Sequence, residues 1–197
     1  MSATQATKQV ELENTNRWST RQLVTMALMC AIAALFSFIR IPLLPAAPFL
    51  TYDPSLMPAM VCGFAFGPGA GFVVGSIAAV IHGLILGEWI GSLMNICATL
   101  FFVVPSALIY KKKHTLKGAI LGLIVGVVCA TAGAIVTNLT IGVAFWYGSA
   151  DVIMPLLLPA IVPFNLIKTV LNSLLTLIVY KAISNLITPK KNQVKGR

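Results

Sequence analysis

Apolar residues run along this chain in long blocks, each closed by a polar or proline-rich break. The blocks cover roughly 22–39, 55–66, 71–86, 92–110, 118–145 and 155–186. A helix needs about 20 apolar residues to cross the hydrocarbon core of a bilayer, and most of the blocks approach that length. None has the ten-residue alternation of a barrel strand. The pattern predicts an all-α integral membrane protein with six transmembrane helices. The second block is short and is expected to borrow length from the segment before it. Around the spans the chain divides into a polar N-terminal segment over 1–20, a single six-helix domain over 21–187 and a basic tail over 188–197, expected to be disordered.

Within the blocks, small residues recur every four positions. One row is Gly71, Gly75, Ala79, Gly83 and Gly87, and a second runs from Gly118 through Gly122, Gly126, Ala130 and Ala134 to Asn138 and Gly142. Such rows offer grooves for neighbouring helices. The first block carries Ala27 and Ala31 at the same spacing. Between the first two blocks, Pro42, Pro45, Pro48 and Pro54 exclude a regular helix. This stretch is apolar, aromatic and irregular, so protein must cover its backbone, and it is placed to act as a lid. Residues 146–151 read as an interfacial loop. His82, alone in the third block, reads as a packing residue.

Charge orients the bundle. The chain is 58% hydrophobic and 10% charged, with a net charge of +9. Six spans put both termini on one side. Twelve of the fourteen Lys and Arg then fall on that side, in the termini and the 111–117 loop, whereas Asp53, Glu88 and Asp151 fall opposite. The positive-inside rule makes both termini cytoplasmic. Basic residues placed this way are topology signals rather than a nucleic-acid surface. The polar start leads into a full-length first span, which is expected to be retained rather than cleaved. Cys30, Cys62, Cys97 and Cys129 lie within apolar blocks without metal-ligand spacing and read as small buried hydrophobes.

The chemistry of catalysis is missing. There is no phosphate-binding G-x-x-x-x-G-K-[ST] loop, no H-E-x-x-H and no Ser/His/Asp set, and the spans hold no carboxylate. No enzyme, metal site or cofactor is expected. The polar and aromatic residues gather instead toward the outer half: Phe49, Thr51, Tyr52 and Asp53 in the first loop, Asn95 opening the fourth span, Asn138 closing the fifth, and Asn165 and Lys168 in the sixth. Asn165, Lys168 and Asn172 share one helical face. Amides, an ammonium and aromatic faces suit a neutral, flat, hydrogen-bonding ligand. No span supplies an acid for Lys168, which therefore reads as an unpaired donor awaiting a ligand. Asn172 reads as packing. The competing reading makes the asparagines interhelical glue and lets Lys168 snorkel outward, in a structural or assembly protein without a ligand; a solitary facilitator is a third.

Four stretches resemble a known family: Pro48-Phe49-Leu50-Thr51-Tyr52-Asp53-Pro54-Ser55; Gly63-Phe64-Ala65-Phe66-Gly67-Pro68-Gly69-Ala70-Gly71; Val104-Pro105-Ser106-Ala107-Leu108-Ile109-Tyr110-Lys111-Lys112-Lys113 leading into Lys117-Gly118-Ala119; and Pro163-Phe164-Asn165-Leu166-Ile167-Lys168. The chain resembles, from about residue 27 to 181, the substrate-binding S components of energy-coupling factor (ECF) vitamin transporters. Asn138 with Asn165 and Lys168 is most similar to the riboflavin-specific type. The resemblance implies a six-helix fold in the cell membrane of a prokaryote, with vitamin bound near the outer face under the first loop. It implies that Asn138, Asn165 and Lys168 meet the ligand's polar edge, with riboflavin as cargo and not cofactor. It also implies that Ala27 and Ala31 dock on a transmembrane coupling subunit, the T component, and that two ATP-binding-cassette subunits supply energy. Leu56 stands where riboflavin-type members carry an acidic residue, so a pyridoxine-type or pantothenate-type ligand stays open.

Overall fold

The apolar blocks fold as helices in the order in which they occur. The computed structural model describes residues 18–45 and 47–187. Nearly all of the polar N-terminal segment and the whole of the basic tail lie outside the described residues. Helix α1 is Thr20–Ser37, α2 Leu56–Phe66, α3 Pro68–Leu86, α4 Trp89–Lys112, α5 Leu116–Thr137, α6 Ala150–Leu156 and α7 Val162–Ile187. Two short strands, β1 (Ile41–Pro42) and β2 (Thr51–Tyr52), pair antiparallel between α1 and α2.

Local chemistry sets the helix ends. Ser19 and Gln22 form a reciprocal cap on α1, with Ser19 Oγ accepting from the Gln22 amide at 3.3 Å and Gln22 Oε1 from the Ser19 amide at 2.9 Å. Pro68 occupies the first turn of α3, where its missing N–H costs nothing, and Gly87 ends that helix at φ 72°, in the left-handed region.

Five helical stretches are long and apolar enough to cross a membrane: Thr20–Ser37, Pro68–Leu86, Trp89–Lys112, Leu116–Tyr147 and Ala150–Tyr180. The sixth, α2, has 11 residues, or about 17 Å of helix against a hydrocarbon core of about 30 Å. Residues 52–55 ahead of it are buried, so the irregular chain leading into α2 is covered by protein, as an apolar surround requires.

Helix α2 packs on α1, α3, α4 and α7, while α4 lies between α3 and α5, and α5 packs on α7. The small-residue rows make these contacts close. A Cβ on Gly71 of α3 would lie 2.6 Å from Val103 Cγ1 on α4 and 2.7 Å from the Ala59 carbonyl oxygen on α2, so only glycine fits where the three helices meet. Large apolar side chains such as Leu28, Leu35, Leu84, Val128, Leu158 and Ile178 face outward. Helices apolar on every side belong in lipid.

Two stretches depart from α geometry, and both correct the expected boundaries. The expected loop at 146–151 is shorter. The chain stays helical beyond α5, with wider i→i+5 turns over Asn138–Tyr147, before Gly148 turns it at φ 70°. Here side chains compete for backbone acceptors: Asn138 Nδ2 donates to the Ala134 carbonyl at 2.8 Å and Thr140 Oγ1 to that of Val136 at 2.7 Å. The last span starts at Ala150, ahead of its prolines, and passes through a second wide stretch, Leu157–Ile161, containing Pro159. A proline ring clashes with the carbonyl four residues back, and a wider turn relieves the clash.

Candidate functional site

The strand pair carries the first loop across one end of the bundle. Along an extended chain alternate side chains point to opposite sides. Thr51 and Asp53 accordingly face a cavity, and Tyr52 between them turns away into the protein. Tyr52 was expected among the ligand-facing residues, and the strand's alternation removes it from the wall.

The cavity has a volume of about 580 Å³, within the range of roughly 300–1,000 Å³ typical of small-molecule sites. It brings together the other seven candidates: Phe49, Thr51, Asp53, Asn95, Asn138, Asn165 and Lys168. They come from the loop, the start of α4, the end of α5 and the start of α7. Asn138 and Asn165 each spend one N–H on the carbonyl four residues back, both at 2.8 Å, and retain a second N–H and an Oδ1 acceptor.

Lys168 is not the unpaired donor that the spans alone suggested. Its Nζ donates to Asp53 Oδ2 at 2.8 Å and to Asn95 Oδ1 at 3.2 Å. The carboxylate comes from the loop, which folds back to the level of Lys168 on α7. The two side chains are 8% and 9% exposed, so both charges are nearly dry and each depends on the other. Asp53 Oδ1 also accepts from the amide of Ser55 at 3.1 Å and from the Ser55 hydroxyl. Asn172, fully buried, donates to the backbone carbonyls of Asp53 at 3.2 Å and Lys168 at 3.0 Å. Its expected packing role thus takes the form of a tie between α7 and the loop.

A second polar cluster lies on the α1–α3 side. Arg40 Nη1 donates to Glu88 Oε1 at 2.7 Å, linking the first loop to the α3–α4 connection. His82 places Nε2 3.6 Å from Glu88 Oε2 and Nδ1 3.0 Å from Ser37 Oγ, and its ring stacks on Phe38. The hydrogen bond from Arg40 holds the Glu88 carboxyl below the usual carboxylate range. His82 packs as expected, yet it also lines the cavity. Sequence reasoning missed Arg40, Glu88 and the aromatic wall of Trp89, Phe101, Trp146 and Phe164. Both tryptophans flank helix ends, a position that signals the membrane interface as strongly as it signals a ligand.

Among the described residues no group of three His, Cys, Asp or Glu could hold a metal ion. The arrangement offers hydrogen-bond donors and acceptors, aromatic faces and two internal ion pairs, which is equipment for binding.

Known proteins share this architecture. A solved structure described as "Structure and mechanism of the S component of a bacterial ECF transporter" superposes with a TM-score of 0.74 at 29% identity, covering 86% of this chain and 98% of that one. The riboflavin transporter RibU of Staphylococcus aureus (strain TCH60) is 28% identical over 177 residues, 86% of this chain and 94% of that protein. The riboflavin transporter FmnP of Bacillus subtilis (strain 168) is 26% identical over 159 residues, 75% and 84% of the two chains. The family model for the ECF transporter substrate-specific component matches residues 21–180. That match takes in every residue of the cavity wall, and the chain belongs to the family of ECF transporter substrate-specific components.

Proposed function

We propose that this protein is the riboflavin-binding subunit of an ATP-driven vitamin importer in a bacterial plasma membrane. The observation that carries the reading is the cavity wall, which sets Asn95, Asn138, Asn165 and Lys168 beside aromatic faces. Riboflavin has a flat ring system with a polar edge of alternating donors and acceptors, and a hydroxylated tail. Amides satisfy both senses of hydrogen bond along such an edge, and aromatic rings cover its faces. The names of the S. aureus and B. subtilis relatives support the same ligand. Leu56, the departure that kept another vitamin open, is 2% exposed in the apolar core and is absent from the cavity wall. Protein purified in mild detergent from riboflavin-fed cells is expected to be yellow, with flavin absorbance stoichiometric with protein. Colourless protein whose melting temperature does not move on adding riboflavin would sink the reading.

In this reading six helices cross the bilayer, both termini are cytoplasmic and the cavity opens outward. Energy comes from two ATP-binding-cassette subunits through a coupling T component, since the chain has no phosphate-binding loop of its own. Ala27 and Ala31 are exposed on α1 beside Val24 and Leu28, a face on which another helix could approach closely. Ala31→Trp is expected to leave flavin binding intact and abolish co-purification of the coupling subunit. Retention of the full complex by that variant would remove Ala31 from the docking face.

A further inference from the structure

The charged groups lining the cavity, among the described residues, are Arg40 and Lys168 as cations and Asp53 and Glu88 as anions, with His82 beside Glu88. Each cation is bonded to one of the anions, so an anionic ligand approaching either cation also meets a carboxylate. The two pairs lie on different sides of the bundle. Asp53–Lys168 joins the loop to α7, next to Asn95 of α4. Arg40–Glu88 lies where α1 packs on α3. If the ring's polar edge lies on the amides of α4, α5 and α7, Arg40–Glu88 is the charged pair left for the hydroxylated tail to meet. This placement rests on the flavin reading above.

We infer that Glu88 is a specificity-determining residue, whose pairing with Arg40 makes the cavity select neutral riboflavin over its 5′-phosphate. A phosphate monoester carries about −1.5 to −2 charge near pH 7. To engage Arg40 it must come beside the Glu88 carboxylate or push it aside, and either way two anions are left close together. Without Glu88 the same guanidinium becomes a ready fork for phosphate. The pair suits this task because it is accessible: the Arg40 and Glu88 side chains are 42% and 41% exposed. The buried Asp53–Lys168 pair cannot open without leaving two dry charges unsatisfied.

The test is the ratio of dissociation constants, 5′-phosphate over riboflavin, measured by flavin fluorescence titration on detergent-purified protein. A ratio cancels losses common to both ligands. Glu88→Gln, which keeps shape and removes the anion, is expected to lower the ratio at least tenfold at low ionic strength. Added salt should shrink that effect, since the groups are half-exposed. Arg40→Gln, which leaves Glu88 unopposed, is expected to raise the ratio. Both substitutions break the same ion pair, so a role limited to ordering the loop moves the two variants together. Shifts of opposite sign support the inference. An unchanged ratio in Glu88→Gln, or shifts of the same sign, overturns it while leaving the flavin reading standing. Wild-type protein that binds neither flavin overturns both.

Discussion

Lys168→Ala is expected to abolish riboflavin binding and to destabilise the protein as well. The substitution strips the partner from a carboxylate that is only 9% exposed. Breaking a buried pair in this way costs about 3–5 kcal/mol, because the surviving charge stays in a dry site. Asp53 remains tethered to Ser55 by two hydrogen bonds, so it cannot readily swing out to water. A lower melting temperature in detergent would therefore accompany the loss of ligand, and binding data from this variant alone would be ambiguous. The double variant Asp53→Asn/Lys168→Met separates the two effects. It removes both charges and keeps an amide able to bond Ser55. Replacing a buried pair by groups of similar shape is often neutral in stability. The double variant is expected to recover most of the melting temperature and none of the flavin binding. Wild-type affinity in the double variant would exclude Lys168 from the ligand site. An unchanged melting temperature in Lys168→Ala would show that Asp53 finds another partner.

This pair also marks where sequence reasoning stopped. Helix order was legible because lipid demands long apolar runs, and proline and glycine punctuate them. The cluster Asn138, Asn165 and Lys168 was legible because intramembrane polar residues are rare enough to stand out. The partner of Lys168 was not, because Asp53 is 115 residues away in a segment that local pattern could identify only as irregular. A search for acids within the spans overlooks a loop that folds back to the same depth. Arg40 and Glu88 were hidden for a related reason: each sits at a helix end, where a charge is unremarkable until the fold brings it to its counterion. Tyr52 failed differently, because a two-residue strand gives too little alternation to read from sequence, yet that alternation turns its side chain away from the wall. The wide turns before Gly148 and around Pro159 depend on side chains and rings competing for carbonyls of the preceding turn. Apolar periodicity, which sees only faces, is silent about them.

Gly133→Val is expected to weaken riboflavin binding on the order of 100-fold, equivalent to about 2.7 kcal/mol. Gly133 of α5 and Phe101 of α4 both line the cavity, and their helices are in close contact there. A Cβ on Gly133 would come within 2.8 Å of Phe101 Cβ, the root of that side chain and not its mobile tip. A valine therefore forces one of two responses. The Phe101 ring swings into the cavity and takes ligand volume, or α4 moves off α5 and carries Asn95 away from Lys168. Overpacking of this kind costs about 1–3 kcal/mol in stability, so the variant should still fold. Phe101→Ala in the same background distinguishes the responses. If the ring is the obstruction, the second substitution restores much of the affinity. If the helix has moved, affinity stays low, and the Asn95–Lys168 contact is the element that failed. Wild-type affinity in Gly133→Val itself would mean that the ligand does not occupy this side of the cavity.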